Sequence, residues 1–168
     1  MSNYDSKKDT LKHKKQVELL MKACARNLIF RGIMHDNSKL EYPEKDIFDE
    51  YTPKLKDCTY GSDEYKKYLE EMQVALDHHY ENNDHHPEYF DRRYKQRDGK
   101  GTPVFDGLSG MNVLQFTEMI CDWYAATKRH SDGDVYKSIE INQKRFGFSD
   151  EVKSIIINTV NWLEGGEN

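Results

Sequence analysis

Apolar residues recur along this chain at steps of three and four, which is the spacing of one face of an α-helix. The predicted helices are residues 10–31, a short helix that Tyr42-Pro43-Glu44 opens and Pro53 closes, residues 62–82, a segment that starts at 109–112 and ends at 131–133, residues 135–146 and residues 150–163. No segment alternates as a strand does, and no internal repeat is present in the sequence. The pattern predicts an all-α bundle of about six or seven helices.

Three of these helices place chemically active side chains on faces that we expect to be buried. The first has the apolar stripe Val17, Leu20, Met21, Cys24 and Leu28, on which His13 also falls. The third has Tyr65, Tyr68, Leu69, Met72, Ala75 and Leu76, a stripe that continues to His79 and predicts that this ring points inward. The fourth combines the apolar residues Val113, Leu114, Phe116, Ile120 and Trp123 with the polar row Gln115, Glu118, Asp122 and Arg129. A buried acid such as Asp122 needs a partner, either a metal ion or an arginine.

Composition narrows the class of protein. The 168 residues fit one domain, and 33% charged residues of both signs beside 36% hydrophobic residues indicate a globular chain. The net charge of −5 disfavours a general nucleic-acid binder. The three cysteines are far apart and form no CxxC pair, which favours a reduced, cytoplasmic setting. The sequence has no membrane-length apolar run and no signal-peptide core, so we expect no membrane partner.

Histidines and aspartates suggest a metal centre. Four of the seven histidines, His78, His79, His85 and His86, fall within nine positions, and a separate pair, His35-Asp36, precedes Lys39. Neutral imidazoles and carboxylates are good ligands for divalent metal ions. Taken alone, His13 reads as a histidine that packs at a helix start, and His35-Asp36 as part of a helix cap. Together the groups predict a metal site.

A basic segment lies between the histidine cluster and the fourth helix. Residues 84–107 show no helical period, and five basic residues outnumber two acids in part of it: Arg92, Arg93, Lys95, Arg97 and Lys100 against Asp91 and Asp98. An irregular loop of this length is either an element that binds an anionic substrate or a solvated connection. Both interpretations remain open.

The chain order His13, His35-Asp36, Lys39, histidine cluster and Asp122 resembles the HD-domain superfamily of metal-dependent phosphohydrolases. This resemblance implies an HD-like helical bundle in a single domain, residues 1–168. It implies that His13, His35, Asp36 and Asp122 hold a divalent ion and that Lys39 approaches a phosphate. His79 and His86 would complete a second metal site or position the phosphate. His78 and His85 are less firmly assigned as ligands.

A closer resemblance covers nearly the whole chain. It is to a small uncharacterised family from phages and bacteria, and three segments carry it: RGIMHDNSKL from Arg31 to Leu40, HHYENNDHHPE from His78 to Glu88, and EMICDWYAA from Glu118 to Ala126. This family implies a cytoplasmic protein, bacterial or in the host cytoplasm if phage-encoded.

The expected activity is metal-assisted hydrolysis of a phosphate ester or anhydride, with a nucleotide as the expected substrate. One or two ions among Mn, Fe, Co, Ni and Mg would serve as cofactor. Asp36, Lys39 and Glu118 are the expected catalytic residues, with Glu118 orienting a ligand or a water molecule. Lys39, Asn82, Arg92, Arg93 and Arg97 are the expected substrate contacts. The alternatives are a helical protein that sequesters a partner without catalysis, and a nucleic-acid binder that uses the basic loop and the Lys-rich N-terminus.

Overall fold

The structure is a computed structural model that describes residues 5–59, 62–90, 108–129 and 133–166. All regular secondary structure in these residues is helical, which confirms the predicted all-α class. The helices are α1 Ser6–Met34, a 3-10 helix Asn37–Leu40, α2 Glu44–Asp57, α3 Asp63–Glu71, α4 Gln73–Asn82, α5 Val113–Thr127, α6 Val135–Phe146 and α7 Asp150–Gly166. None of the helices described here is long and apolar enough to cross a membrane.

The chain divides into two compact units, Met1–His35 and Asp36–Asn168. The first unit consists of α1, whose N-cap residue Asp5 accepts a hydrogen bond from the Lys7 backbone N–H. No residue of α1 is buried, and the stripe residues Val17, Leu20 and Met21 are all exposed. Within the described part of the first unit no other element covers the predicted apolar stripe, so its burial stays a prediction. A helical period shows which residues share a face, but it does not show whether another element covers that face.

Helices α5, α6 and α7 of the second unit pack together around an apolar core. This core contains Met119, Ile120, Val135, Ile139, Phe146, Phe148, Ile156 and Val160. Trp123 of α5 stacks on Phe146, with ring centroids 6.1 Å apart. Ile156 and Val160 are buried, whereas Ile155 is exposed. Successive helical residues point about 100° apart, so the consecutive isoleucines at 155–157 cannot all enter one core.

The other helices of the second unit form a group in which α2 packs against the 3-10 helix, α3 and α4. Pro53 was expected to end α2, but the helix continues through it to Asp57. The predicted helix 62–82 is divided into α3 and α4 at Met72, while Ser62 caps its start by accepting from the Tyr65 N–H. The predicted inward stripe is confirmed across the division, because Met72, Ala75 and His79 are buried.

Asp36 begins the second unit with an unusual backbone conformation. Its φ of 56° and ψ of 20° lie in the left-handed region, and it is the N-cap residue of the 3-10 helix. The tight turn brings Lys39 back to Asp36, and the Lys39 Nζ donates to Asp36 Oδ2 over 2.7 Å. The other carboxylate oxygen, Oδ1, faces two histidines of the candidate site.

Candidate metal centre

Four side chains of the second unit converge on one point. Asp36, His79, His85 and His86 each contribute one potential ligand atom, and these four atoms lie within 4.8 Å of one another. His79 lies on the buried stripe of α4, and His85 and His86 follow in the turn after that helix ends at Asn82. The turn folds the later rings back on the helix, so that the His79 and His86 ring centroids are 4.7 Å apart.

The spacing of these atoms suits the ligands of a single ion. His79 Nε2 lies 2.9 Å from His86 Nε2 and 3.4 Å from Asp36 Oδ1. His85 Nε2 lies 3.5 Å from the same Asp36 oxygen. Two ligands held about 2.1 Å from an ion are separated by about 3.0 Å at an octahedral angle and about 3.4 Å at a tetrahedral angle. The cluster therefore has the dimensions of a coordination sphere.

Two histidines of the cluster, His79 and His86, are held in their neutral form. Burial, reinforced by His85 and His79, lowers the pKa of His86 to about 2, although Asp122 and Asp36 act in the opposite direction. Burial and the positive charge of Lys39 likewise lower the pKa of His79, against the effects of Asp36 and Glu44. Metal ions bind neutral imidazole, so these two rings need not lose a proton before they bind an ion.

Two glutamates lie behind the histidines, on the side away from the converging atoms. Glu44, the first residue of α2, is fully buried, and its two oxygens lie 2.7 Å from His78 Nδ1 and 2.8 Å from His79 Nδ1. Glu118 of α5 places its Oε1 3.3 Å from His85 Nδ1. Glu44 cannot be recognised as a site residue from the sequence, because an acid in the first turn of a helix is ordinarily explained by the helix dipole.

Asn83 ties the turn after α4 to the 3-10 helix. Its side-chain Nδ2 donates to Ser38 Oγ over 2.7 Å and to the His79 carbonyl oxygen over 2.8 Å. The neighbouring residue, Asn82, was expected to contact substrate, but its side chain donates to the His78 carbonyl of its own helix. The asparagine at the cluster is therefore Asn83, which the sequence analysis did not select.

The structure separates the two histidines that the sequence left less certain. His85 is in the cluster and buried, whereas His78 turns its Nδ1 to Glu44 and is partly exposed. Asp122 lies one turn after Glu118 on α5, with a carboxylate oxygen within 4.8 Å of a His85 nitrogen. The Lys39 ammonium lies next to Asp36 and 5.2 Å from the centre of the Phe48 ring.

The remaining predicted site residues belong to the first unit or lie outside the described residues. His13 is exposed on α1, and His35 follows the end of that helix and is half-buried, so both belong to the first unit. Their role as metal ligands stays a prediction. Arg92, Arg93 and Arg97 lie outside the described residues, as does the rest of the predicted basic loop from position 91 onward.

Comparison with known proteins identifies a family match for this chain. Residues 2–164 match the family described as "Family of unknown function (DUF5662)". The chain belongs to this family. No curated protein and no solved structure matches the chain. Because the match covers nearly all of the sequence, both the histidine cluster and the glutamates behind it lie within the DUF5662 region.

Because folded His79 and His86 resist protonation, we expect the metal-free DUF5662 protein to become less stable as the pH falls. An unfolded histidine takes up a proton near pH 6.5, whereas folded His86 does so only near pH 2. The contribution of His86 to stability is therefore complete above pH 6.5 and is lost as the pH falls from there toward 2. In that window this loss lowers the free energy of unfolding by up to about 1.4 kcal/mol per pH unit.

Urea unfolding between pH 7.5 and 5, in the presence of a chelator, measures how steeply the free energy of unfolding changes with pH. The His86→Gln variant should show a shallower slope than the parent, because it lacks the buried imidazole. Equal slopes in the parent and in His86→Gln would contradict the prediction.

Proposed function

We propose that this protein is a metal-dependent phosphohydrolase that acts on a phosphate ester or anhydride, with a nucleotide as the expected substrate. The observation that carries the proposal is the convergence of Asp36, His79, His85 and His86 within 4.8 Å. The support from the sequence is the resemblance of its His-Asp pair, Lys39 and late Asp122 to the HD-domain superfamily.

The donor atoms of the cluster favour a first-row transition metal. Three imidazole nitrogens and one carboxylate oxygen suit Mn, Fe, Co or Ni, whereas Mg prefers a shell of oxygen ligands. When bound, such an ion supplies a Lewis acid that makes water nucleophilic near neutral pH. His79, His85, His86 and Asp36 would hold it, and His13, His35 and Asp122 remain further candidate ligands.

Lys39 is the described residue best placed to meet a phosphate. Its ammonium group lies beside Asp36 and about one third of its side chain is exposed, so it adjoins the cluster and still reaches solvent. A cation in this position stabilises negative charge that builds up on phosphoryl oxygens. Asp36 orients this lysine through the 2.7 Å hydrogen bond and offers its other oxygen to the cluster. Arg92, Arg93 and Arg97 stay predicted phosphate contacts.

The test is the metal content of protein purified without a His tag, followed by hydrolysis assays with added Mn²⁺. We expect about one to two equivalents of a first-row transition metal and Mn-dependent hydrolysis of p-nitrophenyl phosphate or of nucleotides. The His86→Gln variant should lose both, because it removes an imidazole from the cluster. Glu81→Gln, an exposed change near the C-terminal end of α4, is the matched control and should retain both.

A protein that contains no metal and shows no Mn-dependent turnover would overturn this proposal. That result would favour the second function expected from the sequence, a helical protein that sequesters a partner. Metal that is bound equally by the parent and by His86→Gln would instead place the centre elsewhere in the chain.

A further inference from the structure

We infer that Glu44 is a positioning residue: it fixes the proton of His79 on Nδ1 and thereby keeps Nε2 as the ligand atom. This inference rests on the proposed metal centre. It concerns a residue that the resemblance to HD-domain proteins does not include, on a helix for which the sequence predicted no site residue.

Glu44 can accept a hydrogen bond at each of its two carboxylate oxygens. Glu44 has no exposed surface, and its two oxygens lie 2.7 and 2.8 Å from the Nδ1 atoms of His78 and His79. Carboxylate oxygens accept hydrogen bonds from ring N–H groups. Each Nδ1 atom must therefore carry the proton that it donates to Glu44.

Asn83 does not compete with Glu44 for the hydrogen bond at His79 Nδ1. The Asn83 Nδ2 lies 3.1 Å from His79 Nδ1, and an amide nitrogen donating there would require an unprotonated Nδ1. However, an amide nitrogen has two protons, and Asn83 directs them at Ser38 Oγ and at the His79 carbonyl oxygen. The His79 Nδ1 is therefore left to donate to Glu44.

The position of the proton on Nδ1 determines what the other ring nitrogen can bind. A neutral imidazole with its proton on Nδ1 has a lone pair on Nε2. In His79 this atom points into the cluster, 2.9 Å from His86 Nε2 and 3.4 Å from Asp36 Oδ1. The opposite tautomer would present an N–H group to the ion and would not bind it. Hydrogen-bond partners of this kind typically change metal affinity by about 10- to 100-fold when they are removed.

A second glutamate repeats this arrangement from a different helix. Glu118 lies 3.3 Å from His85 Nδ1, while His85 Nε2 faces Asp36 Oδ1 over 3.5 Å. Two rings thus present Nε2 to the same aspartate oxygen, and each has a carboxylate at Nδ1. The repetition indicates that the cluster is organised to offer Nε2 atoms.

Glutamine is the informative replacement at position 44. An amide has one accepting oxygen and one donating nitrogen, so it can accept a proton from only one of the two Nδ1 atoms. The other imidazole must move its proton to Nε2. The Glu44→Gln variant has nearly the same shape as the parent, and Asp46→Asn, an exposed change in the same helical turn, is its control.

The experiment records long-range ¹H–¹⁵N spectra of metal-free protein with ¹⁵N-labelled histidine. These spectra distinguish the two tautomers, and His78→Gln and His79→Gln variants assign the signals. In the parent we expect both His78 and His79 to carry the proton on Nδ1. In Glu44→Gln one of the two signals should change to the Nε2-protonated form, and Asp46→Asn should resemble the parent.

Binding of Co²⁺, followed by its visible absorption, gives a second readout. We expect Glu44→Gln to bind Co²⁺ about 10- to 100-fold more weakly when the ring that changes is His79. If the change is confined to His78, the Co²⁺ affinity should stay close to that of Asp46→Asn. Circular dichroism establishes whether the variant folds, and the parent spectrum decides the question if it does not.

An Nε2-protonated His79 in the metal-free parent would overturn the inference, whatever the catalytic activity of the protein. Unchanged tautomers in folded Glu44→Gln would overturn it as well. If the tautomers behave as expected but the parent does not hydrolyse phosphates with Mn²⁺, the proposed function fails and the role of Glu44 stands. The two failures are therefore distinguishable.

Discussion

The Asp36→Asn substitution is expected to remove the bound metal ion and to reduce metal-dependent phosphate hydrolysis to its metal-free background. Asp36 Oδ1 faces the Nε2 atoms of both His79 and His85, so it is the oxygen that joins the two rings into one cluster. Asn has nearly the same shape but no charge. Since the loss of a hydrogen-bond partner behind a ligand already costs about 10- to 100-fold in affinity, the loss of a charged ligand should cost more than about 100-fold.

Elemental analysis and Mn²⁺-dependent hydrolysis of p-nitrophenyl phosphate measure the effect, and circular dichroism verifies that the helices are retained. Asp49→Asn is the matched control, because Asp49 is exposed and pairs only locally with Lys45 in the described contacts. If Asp36→Asn bound metal and turned over substrate as well as Asp49→Asn does, the four-residue cluster would not be the metal centre.

The second large effect concerns stability. Ile139 of α6 has no exposed surface and lies in the core that α5, α6 and α7 share. Truncation of a buried isoleucine to alanine typically costs about 2 to 5 kcal/mol, because it removes apolar contacts and leaves a cavity. For a chain of this size, Ile139→Ala should lower the melting temperature by roughly 5 to 15 °C.

Thermal unfolding followed by circular dichroism checks this prediction, again in metal-free protein. Ile141→Ala on the same helix is the control, because Ile141 is 45% exposed and loses little burial on truncation. Its melting temperature should stay within a few degrees of the parent value. Similar losses in the two variants would show that the core is not centred on α6.

Local signals allowed much of the fold to be predicted. Helix α6 begins and ends at the predicted residues, Val135 and Phe146. Asp134 caps its start by accepting from two backbone N–H groups, and Gly147 ends it in the left-handed conformation with a φ of 67°. Both are properties of the residues at the helix ends themselves, which is why they can be read from the sequence.

The errors arise where non-local packing or backbone geometry decides. Helix α2 continues through Pro53, although proline usually ends a helix. Met72 interrupts the predicted helix 62–82, although the apolar residues of that segment keep one helical period throughout. A one-residue distortion shifts the helical period too little to be noticed in a pattern of apolar residues. Likewise, the period of α1 predicted a buried face but held no information about a partner for it.

The sequence suggested the four residues that converge in the structure, but not the glutamate Glu44 behind them. The stripe of α4 placed His79 inside, and the His-Asp pair suggested Asp36. His85 and His86 follow the end of the helix, so no period could rank them against His78. Glu44 contacts histidines that are 34 and 35 positions away in the chain, and such a pairing exists only after α2 has packed on α4.

The left-handed backbone of Asp36 restricts which amino acids this position can accept in the course of evolution. Only glycine and, less readily, aspartate and asparagine adopt that conformation routinely, because a short polar side chain can hydrogen-bond locally. Glutamate carries the same carboxylate but lacks this advantage, and glycine and asparagine carry no charge. Among these residues, aspartate alone both adopts this conformation and supplies a charged oxygen. A substitution at position 36 would therefore lose either the left-handed turn or the charged ligand atom.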